Sequence, residues 1–199
     1  MRHVVTALFV FALSCIDSPA RAQSTVSAVQ LKQLSLDELT MLEVTSVSRR
    51  PEKYERAAAA VTVVTNEHLR RSGATMLPEA LRSVPGLHVA RRNSNSWGVS
   101  ARGFSSTNSE KLLVLCDTRS IYTPLFSGVL WDAQHYMLAD VERIEVIRGP
   151  GATMWGANAV NGVINITPRH AADTQGTRIE TAVGTEERAR FAARFGGRT

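Results

Sequence analysis

The sequence predicts an α+β domain: short strands joined by short helices around one core. Three observations carry this. Short runs rich in branched apolar residues recur, VTVVT at 61–65, LLVLC at 112–116 and GVINIT at 162–167. Each is bounded by Gly, Pro, Asn or Asp. Between the first two lie short helical patterns with their own start and stop residues. A chain of 199 residues, 44% hydrophobic and 21% charged, is large enough for one domain with a sizeable core plus tails.

The N-terminus reads as an export signal. Arg2 and His3 precede an apolar run, Val4 to Ile16, that is too short to span a bilayer as a helix of about 20 residues. Ala20-Arg21-Ala22 is a small-x-small cleavage pattern, so residues 1–22 are expected to be removed. Cys116 is then the only cysteine left, and no internal disulfide is possible. Residues 23–33 are small and polar. Ser35-Leu36-Asp37-Glu38 is a capping box before a short helix. Glu43 to Pro51, EVTSVSRRP, is too polar for core by composition and reads as a linker. Its β-branched residues equally suit a strand added to a partner's sheet edge.

From Ala57 onward the domain is folded. VTVVT is a strand. Asn66 is placed to cap a helix closed by Gly73, and Thr75 to cap the next, MLPEALRSV, stopped by Pro85-Gly86. LHVARR and WGVSARGF follow as strands, with a polar loop from Asn93 between them. LLVLC is the most hydrophobic strand. Ser120 to Asp132 reads as a long irregular loop, and Asp140 as the cap of one helical turn. The segment Val141 to Pro168 reads as strand, tight turn, helical turn, glycine-broken turn, strand. Ile144 and Val146 fall on one face of its first strand, Glu145 and Ile147 on the other. Both strands look buried, so Arg143, Glu145 and Arg148 need partners. After Pro168 the pattern alternates: Ala189, Phe191, Ala193 and Phe195 face one way, Arg188, Arg190 and Arg194 the other. This fits outer-membrane barrel strands, and it fits an ordinary amphipathic hairpin equally well.

Composition and motifs exclude several functions. Net charge is +5, but the arginines are scattered singly or in pairs rather than striped, so no nucleic-acid partner is expected. The five histidines have no metal-ligand spacing. No G-x-S-x-G, P-loop or H-E-x-x-H occurs. The expectation is no enzyme, no metal and no cofactor.

The segment VERIEVIRGPGATMWGANAVNGVINIT closely resembles the signature of the plug domain of TonB-dependent outer-membrane receptors. AVTVVTNEHLRRSG, LPEALRSVPGLHV, VSARGF and LLVLCDTRSIY match in the family's order, and the resemblance runs from about Leu39 to the C-terminus. It implies a small mixed β-sheet plug with short helices at residues 51–170. Residues 171–199 would then be the first one or two strands of a surrounding barrel, of about 22 strands in such transporters. It implies energy-coupled uptake of a siderophore-like, corrinoid or haem ligand across the outer membrane. EVTSVS (Glu43, Val44, Thr45, Ser46, Val47, Ser48), in the N-terminal segment 23–50, resembles the energy-coupling box that pairs with the periplasmic domain of TonB. Asn93, Asn95, Trp97, Tyr122 and Phe126 fall in segments like the family's ligand-touching loops. Arg102 and Arg148 match arginines that pair with barrel glutamates.

Two departures stand out. Thr118 occupies a turn position where family members carry glycine, and Pro168 falls where the strand normally continues. The pattern of barrel strands also stops after two runs. The expectation is a fragment, a truncated gene or a stand-alone plug that does not transport by itself. The alternative class is a periplasmic interaction or signalling module on the same fold.

Overall fold

A computed structural model of the chain describes residues 43–44, 52–53, 59–93, 96–103, 111–185 and 188–197. The signal segment, the capping box at Ser35–Glu38, residues Thr45–Ser48 and Asn95 lie outside them.

In chain order, β1 (Glu43–Val44) pairs antiparallel with β2 (Glu52–Lys53). β3 (Ala60–Thr65) leads into α1 (Asn66–Ser72), which ends on Gly73 at φ 68. α2 (Leu77–Ala80) has Pro78 in its first turn, where a missing N–H costs nothing, and continues as a 3-10 turn, Leu81–Ser83. β4 (Leu87–Arg91) and β5 (Trp97–Ala101) form a separate hairpin. β6 (Leu112–Cys116) turns directly into β7 (Arg119–Ser120). Three 3-10 turns, at Pro124–Phe126, Trp131–Ala133 and Leu138–Asp140, lead to β8 (Val141–Arg148). α3 (Ala152–Trp155) and β9 (Gly162–Pro168) follow, then the hairpin of β10 (Gly176–Ala182) and β11 (Arg190–Gly196).

The main sheet has the order β3-β8-β9-β6-β7, with β6 and β9 parallel and the other neighbours antiparallel. It is therefore mixed, as the α+β reading requires. One face carries Val64, Val114, Ile144, Val146, Ile164 and Ile166, covered by α1, α2 and the β4–β5 hairpin through Leu69, Leu77, Leu81, Trp97 and Val99. The other carries Val61, Leu113, Leu115, Ile147 and Val163. β8 and β9 thus bury both faces, which is why they read as apolar throughout. They approach so closely that a β-carbon on Gly162 would sit 2.5 Å from the Ile147 carbonyl oxygen.

Several local assignments change. Asn66 does not cap α1; the cap is Thr65, whose hydroxyl accepts from His68 N. Asn66 instead donates through Nδ2 to the carbonyls of Leu138, Ala139 and Val141. Thr75 does not cap α2, whose N-cap is Met76; the Thr75 N–H and hydroxyl both donate to Glu79. Burial pushes the Glu79 carboxyl up, but these bonds, Met76 N–H and the Arg82 charge outweigh it, and the net shift is downward. Asp140 closes a 3-10 turn rather than opening one. The supposed irregular loop contains two 3-10 turns and buries Val129 and Trp131. Pro168 is tolerated because it is the last residue of β9, past the end of its pairing with β6 and opposite an irregularity in β8.

The β6–β7 turn has Asp117 at φ 50 and Thr118 at φ 63. Two left-handed residues in a two-residue hairpin loop are the type I′ arrangement that favours glycine at the second position. Thr118 therefore holds a strained conformation costing about 1–3 kcal/mol.

Candidate functional site

Two arginines meet where β8 ends. Gly149, at φ 138, turns the chain out of the strand, and its N–H donates to the Asn161 carbonyl. Only glycine holds that φ easily, so the turn is fixed in sequence. Arg148, just before it, lays its stem over Gly86: a β-carbon there would be 3.1 Å from Arg148 Cδ. Arg102, at φ 55 just after β5, comes from the other side, with Nη2 3.6 Å from where a Gly149 β-carbon would be. The sheet and the β4–β5 hairpin thus bring both expected pairing residues to one end of β8. Arg148 Nε is buried with no hydrogen-bond partner, and among the described residues neither guanidinium has an acidic partner.

The other charges of this strand are satisfied locally. Glu145 is 0% exposed, and its Oε1 accepts from Arg143 Nε at 2.8 Å. Arg143 is 22% exposed and also bonds Glu142 at 3.0 Å. A buried carboxylate with a bonded counter-ion is tolerable where a lone one is not.

The coupling segment is partly placed. Val44 is 0% exposed and packs with Val61, Leu113, Leu115, Ile147 and Val163 on the sheet's second face. The reading of this segment as too polar for core is corrected at this one residue. β1 is hydrogen-bonded to β2 alone among the described strands, so its other edge carries no ladder there.

The expected ligand-loop residues divide. Asn93 is exposed in the β4–β5 turn, where its Oδ1 accepts from Ser96 N. Tyr122 is half-buried and Phe126 exposed, on the segment closed by the Thr123–Gly128 bridge. Trp97 is not in a loop. It is 3% exposed, packed in the core, with the Arg82 and Arg91 guanidinium carbons 5.1 and 5.5 Å from its ring centroid. A large indole opening a strand goes to the apolar side, and the arginines cover its outer surface.

The β10–β11 hairpin has two unlike faces. Ile179, Phe191 and Phe195 are exposed, Phe195 at 78%. Arg190, Ala192 and Arg194 are half-buried. Arg194 Nε lies 2.8 Å from Asp140 Oδ2, and Arg190 Nη1 donates to the Thr75 carbonyl at 2.7 Å. Between this face and α1–α2 runs a groove of about 1200 Å³, lined by Glu79, Arg82, His135, Tyr136 and Glu180 among others. A hydrogen bond with Cys116, helped by burial, pushes the Tyr136 phenol up to about 12. The Asp140 and Thr75 contacts were missed from sequence. The only available signal was the arginine alternation at 188–194.

The family model for the TonB-dependent Receptor Plug Domain matches residues 53–163. The Vitamin B12 transporter BtuB of Vibrio vulnificus is 28% identical over 145 residues, 72% of this chain and 23% of that protein. The chain therefore spans about a quarter of that relative's length. Among solved structures, the FpvAI–pyocin S2 complex superposes with a TM-score of 0.54 at 20% identity, over 70% of this chain and 18% of that one. The ferripyoverdine receptor of the Pseudomonas aeruginosa outer membrane, bound to ferripyoverdine, gives 0.53 at 18% identity, over 70% and 18%. These two likenesses concern the fold.

Proposed function

Since the chain belongs to the TonB-dependent receptor plug family, we propose that it is the plug of an outer-membrane receptor taking up a scarce ligand, of siderophore-iron, cobalamin, haem or similar type, by energy coupling. One observation carries the reading beyond the family: Arg102 and Arg148 gather at one end of β8 with no acid among the described residues. A buried guanidinium nitrogen without an acceptor is costly in a self-sufficient domain and reasonable at half of an interface. The partner it fits is a ring of carboxylates on a surrounding barrel wall. The hairpin supports the same view, with its aromatic side exposed and its arginine side turned toward the sheet domain, the alternation of a barrel strand.

Glu43–Ser48 is assigned to the coupling role. The unladdered edge of β1 offers main-chain donors and acceptors for strand addition by the periplasmic domain of TonB. Ligand contact is assigned to Asn93, Asn95, Tyr122 and Phe126. Trp97 is left out because its ring is buried. The test is binding of the chain to the isolated periplasmic domain of TonB, by calorimetry. Deleting Glu43–Ser48 is expected to abolish binding while circular dichroism still reports a folded domain, with a lowered Tm from the loss of the buried Val44. Undiminished binding after the deletion would overturn the coupling assignment.

A further inference from the structure

The β10–β11 hairpin gives charge to the sheet domain rather than receiving it. Arg194 makes an ion pair with Asp140, Nε close to Oδ2 but without hydrogen-bond geometry, and donates through Nη1 to the Thr174 carbonyl. Arg190 reaches the Thr75 carbonyl. Both acceptors are held from behind. Asp140 ends the turn whose carbonyls Asn66 Nδ2 gathers, and Asn66 Oδ1 in turn accepts from Arg169 at 3.3 Å. Thr75 is tied to Glu79 by two bonds. The Arg194 and Asp140 side chains are both largely withdrawn from water, so their attraction is weakly screened.

We propose that Thr75 and Asp140 form an acceptor ledge that selects which face of the first wall hairpin turns inward. A strand slipped by one residue presents its opposite face. Against this ledge, the Phe191–Phe195 face would leave a half-buried carboxylate and a carbonyl unpaired; the arginine face gives the carboxylate an opposite charge and the carbonyl a hydrogen bond. The plug–wall seam then has two polarities. Wall arginines meet plug acceptors at Thr75 and Asp140. Plug arginines 102 and 148 meet wall acids at the far end of β8. This inference rests on reading β10–β11 as wall.

The experiment is hydrogen exchange on the whole chain, followed by mass spectrometry. Asp140→Asn and Arg194→Gln are each expected to speed exchange across 176–196 about tenfold, leaving β8 and β9 unchanged. The swapped pair, Asp140→Arg with Arg194→Asp, is expected to restore most of the protection. Should either single variant loosen every strand together, the swap decides: recovery supports the ledge, and no recovery overturns it. Unchanged exchange of β10–β11 in both single variants also overturns it. None of these outcomes depends on TonB binding, so a failed ledge leaves the plug assignment standing.

Discussion

Arg143 and Arg148 stand on the same strand and serve different ends. Arg143 bonds a carboxylate that is fully buried beside it. Arg148 has a buried Nε with nothing to bond among the described residues, and Arg102 approaches the same turn with another positive charge. The difference teaches how to separate charges that hold a fold from charges that await a partner. The first kind finds its counter-ion within two residues. The second is held in place by packing and glycine turns and left electrostatically open.

The comparison breaks most readily at the paired site. Replacing Arg143 by Met removes the guanidinium bonded to the buried Glu145 Oε1, and the expected loss is about 3–5 kcal/mol in urea unfolding. A loss under about 1 kcal/mol would mean that the pair is not structural. Next is the close contact of β8 with β9 that sets both charged sites. Gly162→Ala drives a β-carbon into the Ile147 carbonyl, and about 1–3 kcal/mol of destabilisation is expected.

Thr118→Gly runs the other way. It relieves a left-handed threonine, so a gain of about 1 kcal/mol is expected, visible as a raised Tm. Glu79 gives the smallest effect. Its folded pKa lies below the unfolded value, so its stabilisation is present above the ordinary carboxylate range and fades as pH falls through the folded pKa. Glu79→Gln should flatten the fall in Tm between pH 6 and pH 3 by a small margin; an unchanged slope would remove Glu79 from the account.

Much of this was legible in sequence because the signals were local. β8 and β9 announce themselves by apolar residues on both faces, and the link between them by Pro150-Gly151 and by Gly156 and Gly162 bracketing a compact connection. Thr118 could be read because a tight link between two strands leaves few backbone choices. The misreadings share a cause. Asn66, Thr75 and Asp140 are good capping residues by type, but each has a second bonding option, which for Thr75 is Glu79 in the helix just after it and for Asn66 and Asp140 lies in distant segments. For Asn66 that option lies more than seventy residues away. Val44 was misjudged because its neighbours are polar while its burial depends on a distant sheet face. Trp97 was misjudged because an aromatic beside a polar loop looks like a contact residue until the strand places its ring inward.

We propose that Arg148 belongs to an interface and Arg143 to the fold. Urea unfolding of Arg148→Met beside Arg143→Met tests it most directly, since methionine keeps the apolar stem that covers Gly86. Arg148→Met is expected to unfold within about 0.5 kcal/mol of the parent chain or slightly later, because a buried guanidinium nitrogen without an acceptor has been removed. A loss comparable to that of Arg143→Met would show that Arg148 already has its partner inside this chain, and would contradict the account.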